Sequence, residues 1–379
     1  MAGKRLKQAI VCVARACGAT FAGRFLLPME AGFGVNHLIA SVGSSMTGVL
    51  ATPRNLLPRA KVRGLLTPAP HRGTPRPVAI ALALGVWLGG CVSEFAADAT
   101  AGFLTDAAPS ARAYFDYDSA GQAAANGIMQ LEGLHRVSPD NETLTLTLAQ
   151  AYVAFAFGWV MDAQEQAAFV LDYERADREQ QRAHLMYTRA QELLFRLLRE
   201  RDAGIDAVAR DPDQLLAYLR REYADPEDDI EIVFWTAVAW GSAITNSPEF
   251  DALVDFPSAK VFARHAVELD ESYEQASPLA LLGGFECSYP EQGGGDWKKG
   301  REYFERALKL SARRNHLHQI NFARTYAVNA QDKTLFLQLV REVLDAGDQG
   351  NEVRLSNKVA RRRAERYMNS ENLSQWFSD

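Results

Sequence analysis

Asn126-Gly-Ile-Met-Gln-Leu-Glu-Gly-Leu-His135, the break Pro139-Asp-Asn141 and Leu148-Ala-Gln-Ala-Tyr-Val153 decide the fold. Apolar residues fall three and four apart on both sides of a break that no helix crosses. Proline has no N–H to give a helix interior, and asparagine suits a helix start. The segment therefore reads as two helices joined by a short turn. In the first of them, Gly127-x3-Leu131-x2-Leu134 lies along one face. A small residue there lets a second helix approach closely, and a large one fills the hole beside it. The spacing returns in Ala183-x3-Tyr187-x2-Ala190, Ala259-x3-Ala263-x2-Ala266 and Gly300-x3-Phe304-x2-Ala307. Trp235-x2-Val238-Ala239 and Leu282-Gly283 supply partner helices.

This unit is similar to the tetratricopeptide repeat, in which helical hairpins stack on their neighbours. The expectation is an all-α fold, a divergent tetratricopeptide-like helical hairpin array over 118–370. An unrelated helical bundle is the alternative, and it too is all-α. The spacing predicts helices at about 118–137, 142–160, 163–173, 178–203, 212–223, 229–245, 257–269, 275–287, 297–311, 315–330, 332–346 and 353–368. No stretch alternates with period two. The glycines of Glu291-Gln-Gly-Gly-Gly-Asp296 lack the flanking strand and Lys-Ser/Thr of a phosphate loop, so they read as a linker, with Asp296 as an N-cap.

Upstream the chain changes character. Val78-Ala-Ile-Ala-Leu-Ala-Leu-Gly-Val-Trp-Leu88 is an uncharged run of eleven residues, preceded by Arg72 and Arg76 and followed by Gly89-Gly90-Cys91. Basic, apolar and small-residue regions in that order describe a secretory signal, and the run is too short for the about 20 residues that span a bilayer. Leu88-Gly-Gly-Cys91 resembles a bacterial lipobox, which implies that Cys91 is acylated and begins the mature protein. Residues 78–91 are thus the signal h-region and lipobox, 92–117 a flexible tether, and 1–77 a mis-called or unstructured extension. Translation is expected to start nearer the leader, at Val62 or Leu65.

Residues 1–90 hold 11 basic residues and a single acid, Glu30, leaving 30 basic against 46 acidic residues beyond them. Such an acidic mature piece argues against a nucleic-acid partner, since phosphate binding needs a basic face. With Cys91 acylated, Cys287 is the mature domain's lone thiol and reads as a small buried residue, so no disulfide framework forms. The seven histidines are scattered, and His316-x-His318 points its rings about 200° apart on a helix. No nucleophile elbow, His-Glu-x-x-His or dinucleotide fingerprint occurs. The chain reads as a non-enzyme that needs no cofactor. Asp225-Pro-Glu-Asp-Asp229 reads as a solvated turn before a helix, and Arg361-Arg-Arg363 as a solvated face of the last helix.

Two helices, 144–161 and 230–245, are apolar nearly all round, the pattern of elements buried on every side. Aromatic core filling explains them. A sharper reading makes Phe157, Trp159, Trp235 and Trp240 the lining of an apolar channel for a small ligand.

The opening segment quoted above, with Phe157-Gly158-Trp159 and Trp235-x4-Trp240-Gly241, resembles the T component of TRAP transporters, the TatT family, over about 110–370. The resemblance implies a lipid-anchored periplasmic accessory with helical hairpins around a pore, able to form a homotrimer. Its implied partner is the periplasmic solute-binding P protein, and its implied role is to pass on a hydrophobic or organic-acid ligand. Val92, not Asp, follows the cysteine, which implies sorting to the outer membrane. The alternative is a tetratricopeptide-type lipoprotein scaffold for cell-envelope assembly.

Overall fold

The computed structural model describes residues 99–377 apart from 101, 104, 105 and 290–293. The extension 1–77, the run 78–91 and Cys91 lie outside the described residues. Within them the fold is all-α. In chain order the main helices are α1 Tyr117–Val137, α2 Glu142–Phe169, α3 Tyr173–Arg201, α4 Pro212–Glu222, α5 Ile230–Thr245 and α6 Phe256–Leu269. They continue as α7 Tyr273–Cys287, α8 Trp297–Leu310, α9 from His316, α10 Lys333–Asp345, α11 Arg354–Tyr367 and α12 Ser370–Trp376. Residues 106–112, within the stretch expected as a tether, are helical.

Asp and Asn caps start most of these helices, because a short side-chain acceptor satisfies first-turn N–H groups that have no partner in the helix. Asp116 accepts from Ser119 N at 2.7 Å, Asn141 from Leu144 N at 2.8 Å, and Asp296 from Lys299 N at 3.0 Å, as its position predicts. Successive helices then pack side by side: α1 on α2, α2 on α3, α3 on α5, α5 on α6, α6 on α7 and α7 on α8. The small-large-small spacing sits at these crossings. Ala183, Ala190, Ala259, Ala263, Ala266, Phe304 and Ala307 are all buried. Where α7 crosses α8, a Cβ on Gly283 would stand 3.0 Å from Gly300 O, and one on Gly300 would stand 2.3 Å from Cys287 Sγ. Cys287 is buried, as expected. The first crossing departs from the expectation. Gly127 has open space beside it, and the close approach is at Gly121, where a Cβ would meet the Trp159 indole at 2.4 Å.

A second departure lies in α2. The predicted break near 161–163 does not exist, because a π-helical turn, Ala156–Val160, carries the helix on to Phe169. One inserted residue rotates everything after it by about 100° around the axis. The buried stripe Leu144, Leu148 and Val153 is thereby handed to Ala156, Val160 and Ala167. This register change produces the all-round apolar pattern, so α2 is not enclosed on every side; Ala154 is exposed and Tyr152 half-buried. In α5 the expectation holds: only Glu231, Trp235, Val238 and Ser242, with Thr245 at its end, escape full burial.

The predicted helix at 275 instead begins with a left-handed turn, Glu274, Gln275 and Ala276 at φ 46°, 61° and 67°. Such conformations cost on the order of 1 kcal/mol each for residues with a Cβ. Three elements hold the turn in place. His318 Nε2 donates to Gln275 O at 2.7 Å, Arg112 pairs with Glu274 at 2.9 Å, and Gln275 donates to Glu352 at 3.2 Å. Burial lowers the His318 imidazole to about 4, against 6.5 in the unfolded chain. The folded state therefore refuses a proton that the unfolded chain accepts below pH 6.5. Stability from this group is complete above 6.5 and is lost as pH falls towards 4, by about 3 kcal/mol. Urea unfolding of wild type and His318→Asn across that range is expected to show a steeper decline in wild type. Parallel curves would contradict the assignment.

Candidate functional site

The polar centre of the molecule forms where α11 meets the π turn of α2, about two hundred residues away in sequence. Asp162 and Glu165 lie three apart, and Arg362 and Arg366 four apart, so each pair shares one helix face. Arg362 Nε reaches Asp162 Oδ2 at 2.8 Å, and Arg366 Nη2 reaches Asp162 Oδ1 at 2.7 Å and also bonds Glu165. Gln166 Nε2 donates to Asp162 at 2.6 Å, and Tyr367 Oη donates to Glu165 Oε1 at 2.7 Å. Two carbonyls of the π turn accept from outside their helix. Tyr117 Oη donates to Gly158 O at 2.7 Å, and Arg363 Nη2 to Phe157 O at 2.7 Å.

Burial pushes the Asp162 carboxyl up, but the Arg366 and Arg362 guanidiniums outweigh it and hold the group below the ordinary carboxylate range. Burial, then the Glu165 charge, pushes the Tyr367 phenol up. Burial, then Asp162, does the same to Tyr117. Arginines outnumber carboxylates in this cluster. Arg363 stacks 4.2 Å from the Phe157 ring centroid, Arg362 4.8 Å from Tyr117 and Arg324 4.6 Å from Trp376.

This corrects the reading of Arg361-Arg-Arg363 as a solvated face. Arg361 and Arg362 are exposed, Arg361 pairing with Glu365 one turn on and Arg362 reaching the buried Asp162, whereas Arg363 is buried, and α12 follows α11. Sequence reasoning thereby missed Asp162, Glu165 and the arginines. The available signal was arginine four apart on a helix whose neighbouring positions, Val359, Ala360, Ala364 and Tyr367, are apolar and buried. Asp229, expected in a solvated turn, is instead buried and pairs with Arg201 at 2.9 Å.

The four aromatic residues expected at a channel fall into separate clusters. Phe157 is half-buried under Arg363. Trp159 stacks between Tyr117 and Phe155 and donates to Tyr117 O at 3.1 Å. Trp240 sits between α3 and α6, edge-on to Phe195 and Phe262. Trp235 lies on the half-exposed stripe of α5, edge-on to Phe234, which in turn meets Tyr273. Among the described residues no three His, Cys, Asp or Glu side chains are placed to hold a metal ion.

A family model described as TRAP transporter T-component covers residues 115–373. No curated protein matches the chain.

Proposed function

The chain belongs to the TRAP transporter T-component family, and from that premise we propose that it is a lipid-anchored periplasmic accessory that binds the transporter's solute-binding P component. The observation that carries the reading is the span of the family match, which takes in α1 through α11. The family is a transporter component and not an enzyme family. The proposed path for a hydrophobic or organic-acid ligand uses the half-buried Phe157, Trp159 and Trp235, with Trp240 supporting the wall from the core. A homotrimer is the proposed assembly. The family match favours this reading over a scaffold for envelope assembly, which would not require a transporter component.

The anchor is proposed at Cys91, in the signal-like order of residues 72–91, with the acidic remainder displayed from the outer membrane. Growth with an alkyne fatty acid tests it directly. Wild type is expected to take up the label and fractionate with membranes, whereas Cys91→Ser loses both properties. An unlabelled wild-type protein would remove the anchor. Deleting the gene is expected to slow uptake by a TRAP transporter of the same organism, and the wild-type gene should restore the rate. Unchanged uptake would contradict the transport role.

A further inference from the structure

We propose that the N-terminal edge of the helical body, carrying Phe103, Tyr114 and Phe115, seats on the lipid headgroup surface and sets how the protein stands on its membrane. The inference deepens the anchored reading and rests on it for its physiological sense, because an anchor at Cys91 fixes distance from a bilayer but not orientation.

Clustered apolar side chains left in water mark a contact surface, whereas single ones do not. Five aromatic side chains are exposed among the described residues, and three of them, Phe103, Tyr114 and Phe115, fall within thirteen positions at the start of the body. Phe103 is 69% exposed and Phe115 68%. The Tyr114 and Phe115 rings lie 5.2 Å apart between centroids, so they present one apolar surface.

The segment that carries this pair is tied to three helices. Arg112 pairs with Glu274 of α7 at 2.9 Å, and Arg354 Nη1 of α11 donates to Ala113 O at 3.0 Å. Asp116 caps α1 by accepting from Ser119 N at 2.7 Å, and Tyr117 Oη donates to Gly158 O at 2.7 Å. Backbone held this way has already lost its freedom, so docking on a surface costs little further ordering. Rings on a slack tether could touch a membrane without orienting anything. Rings fixed to α1, α7 and α11 turn the whole body with them.

Position and chemistry identify the occupant. Twelve residues lead from Cys91 to Phe103, a reach of at most about 40 Å when fully extended. Acylation at Cys91 therefore makes contact between these rings and the headgroups an intramolecular event. Aromatic rings suit the boundary between headgroups and acyl chains, and membrane attachment becomes durable when two contacts act together.

The test uses the protein as its native cells process it, reconstituted into phosphatidylethanolamine–phosphatidylglycerol vesicles that carry a nitroxide quencher at the headgroup. Ala111→Cys keeps all three rings and takes a fluorescent thiol label; Cys287 is buried, and wild type treated alike sets the background. Asp140→Cys is the reference, because the Asp140 side chain is 92% exposed and α1, 21 residues long, sets it about 30 Å away. The label at 111 is expected to be quenched at least threefold more strongly than the label at 140. Replacing Phe103, Tyr114 and Phe115 with Ser should erase that difference without lowering the melting temperature. Equal quenching at both positions in a chain that mass spectrometry shows to be acylated would overturn the surface and leave the anchor standing. Ring-dependent quenching in a chain that carries no lipid would remove the anchor and leave the surface standing. A lipid-free chain with no quenching would overturn both. Ring-dependent self-association without vesicles would give this face to a second copy instead.

Discussion

Asp162→Ala is expected to lose about 3–5 kcal/mol of folding stability, the range for removing one partner from a buried ion pair. The Asp162 side chain is 3% exposed and accepts from Arg362, Arg366 and Gln166. Its removal strands Arg366, 11% exposed, with Glu165 as its remaining carboxylate. Replacing the acid costs more than a surface pair, worth about 0–1 kcal/mol, because the guanidiniums keep their desolvation penalty and lose the charge that offset it. The pH dependence has a definite sign. The folded carboxyl titrates below the unfolded value of 3.8, so the stabilisation is complete above that value and is lost as pH falls through the folded one. Urea denaturation should show a lower midpoint with an unchanged slope. The gap from wild type should be constant above about pH 4 and narrow below it. A loss under about 1 kcal/mol would mean that the junction of α2 with α11 does not hold the ends of the helical body together.

Trp240→Ala should cost about 3–5 kcal/mol through the cavity it leaves among Phe195, Phe262 and the small residues of α6. Trp235→Ala, on the half-exposed stripe of the same helix, should cost about 1 kcal/mol. The pair separates core filling from ligand contact. Trp240 is 4% exposed, and any effect of its removal on ligand binding should accompany a fall in melting temperature. Trp235 can lose ligand contact with melting almost unchanged. A Trp240→Ala protein that melts like wild type would place that ring outside the core.

Helix order and the close crossings were legible because both depend on local spacing. Ala183, Ala190, Gly283 and Gly300 announce contact by being small at helical intervals, and Asp296 announces a helix start by its place before Trp297. The π turn was visible only as a contradiction, two apolar stripes on one predicted helix, because a single inserted residue changes the face without changing the composition. The left-handed turn at Glu274–Ala276 has no glycine to mark it; its holding partners Arg112, His318 and Glu352 come from elsewhere in the chain. The polar junction was hidden for the same reason. Arg362 and Arg363 look like any charged pair on a helix until Asp162, Glu165 and Phe157 are brought to them from the other end of the fold.

The most direct test of the account is a calorimetric titration of the purified protein with a TRAP transporter P component from the same organism. The expected result is saturable, stoichiometric binding with a dissociation constant in the micromolar range or below, retained by Trp235→Ala. Absence of binding at micromolar concentrations of both proteins, with each shown to be folded, would contradict the proposed role.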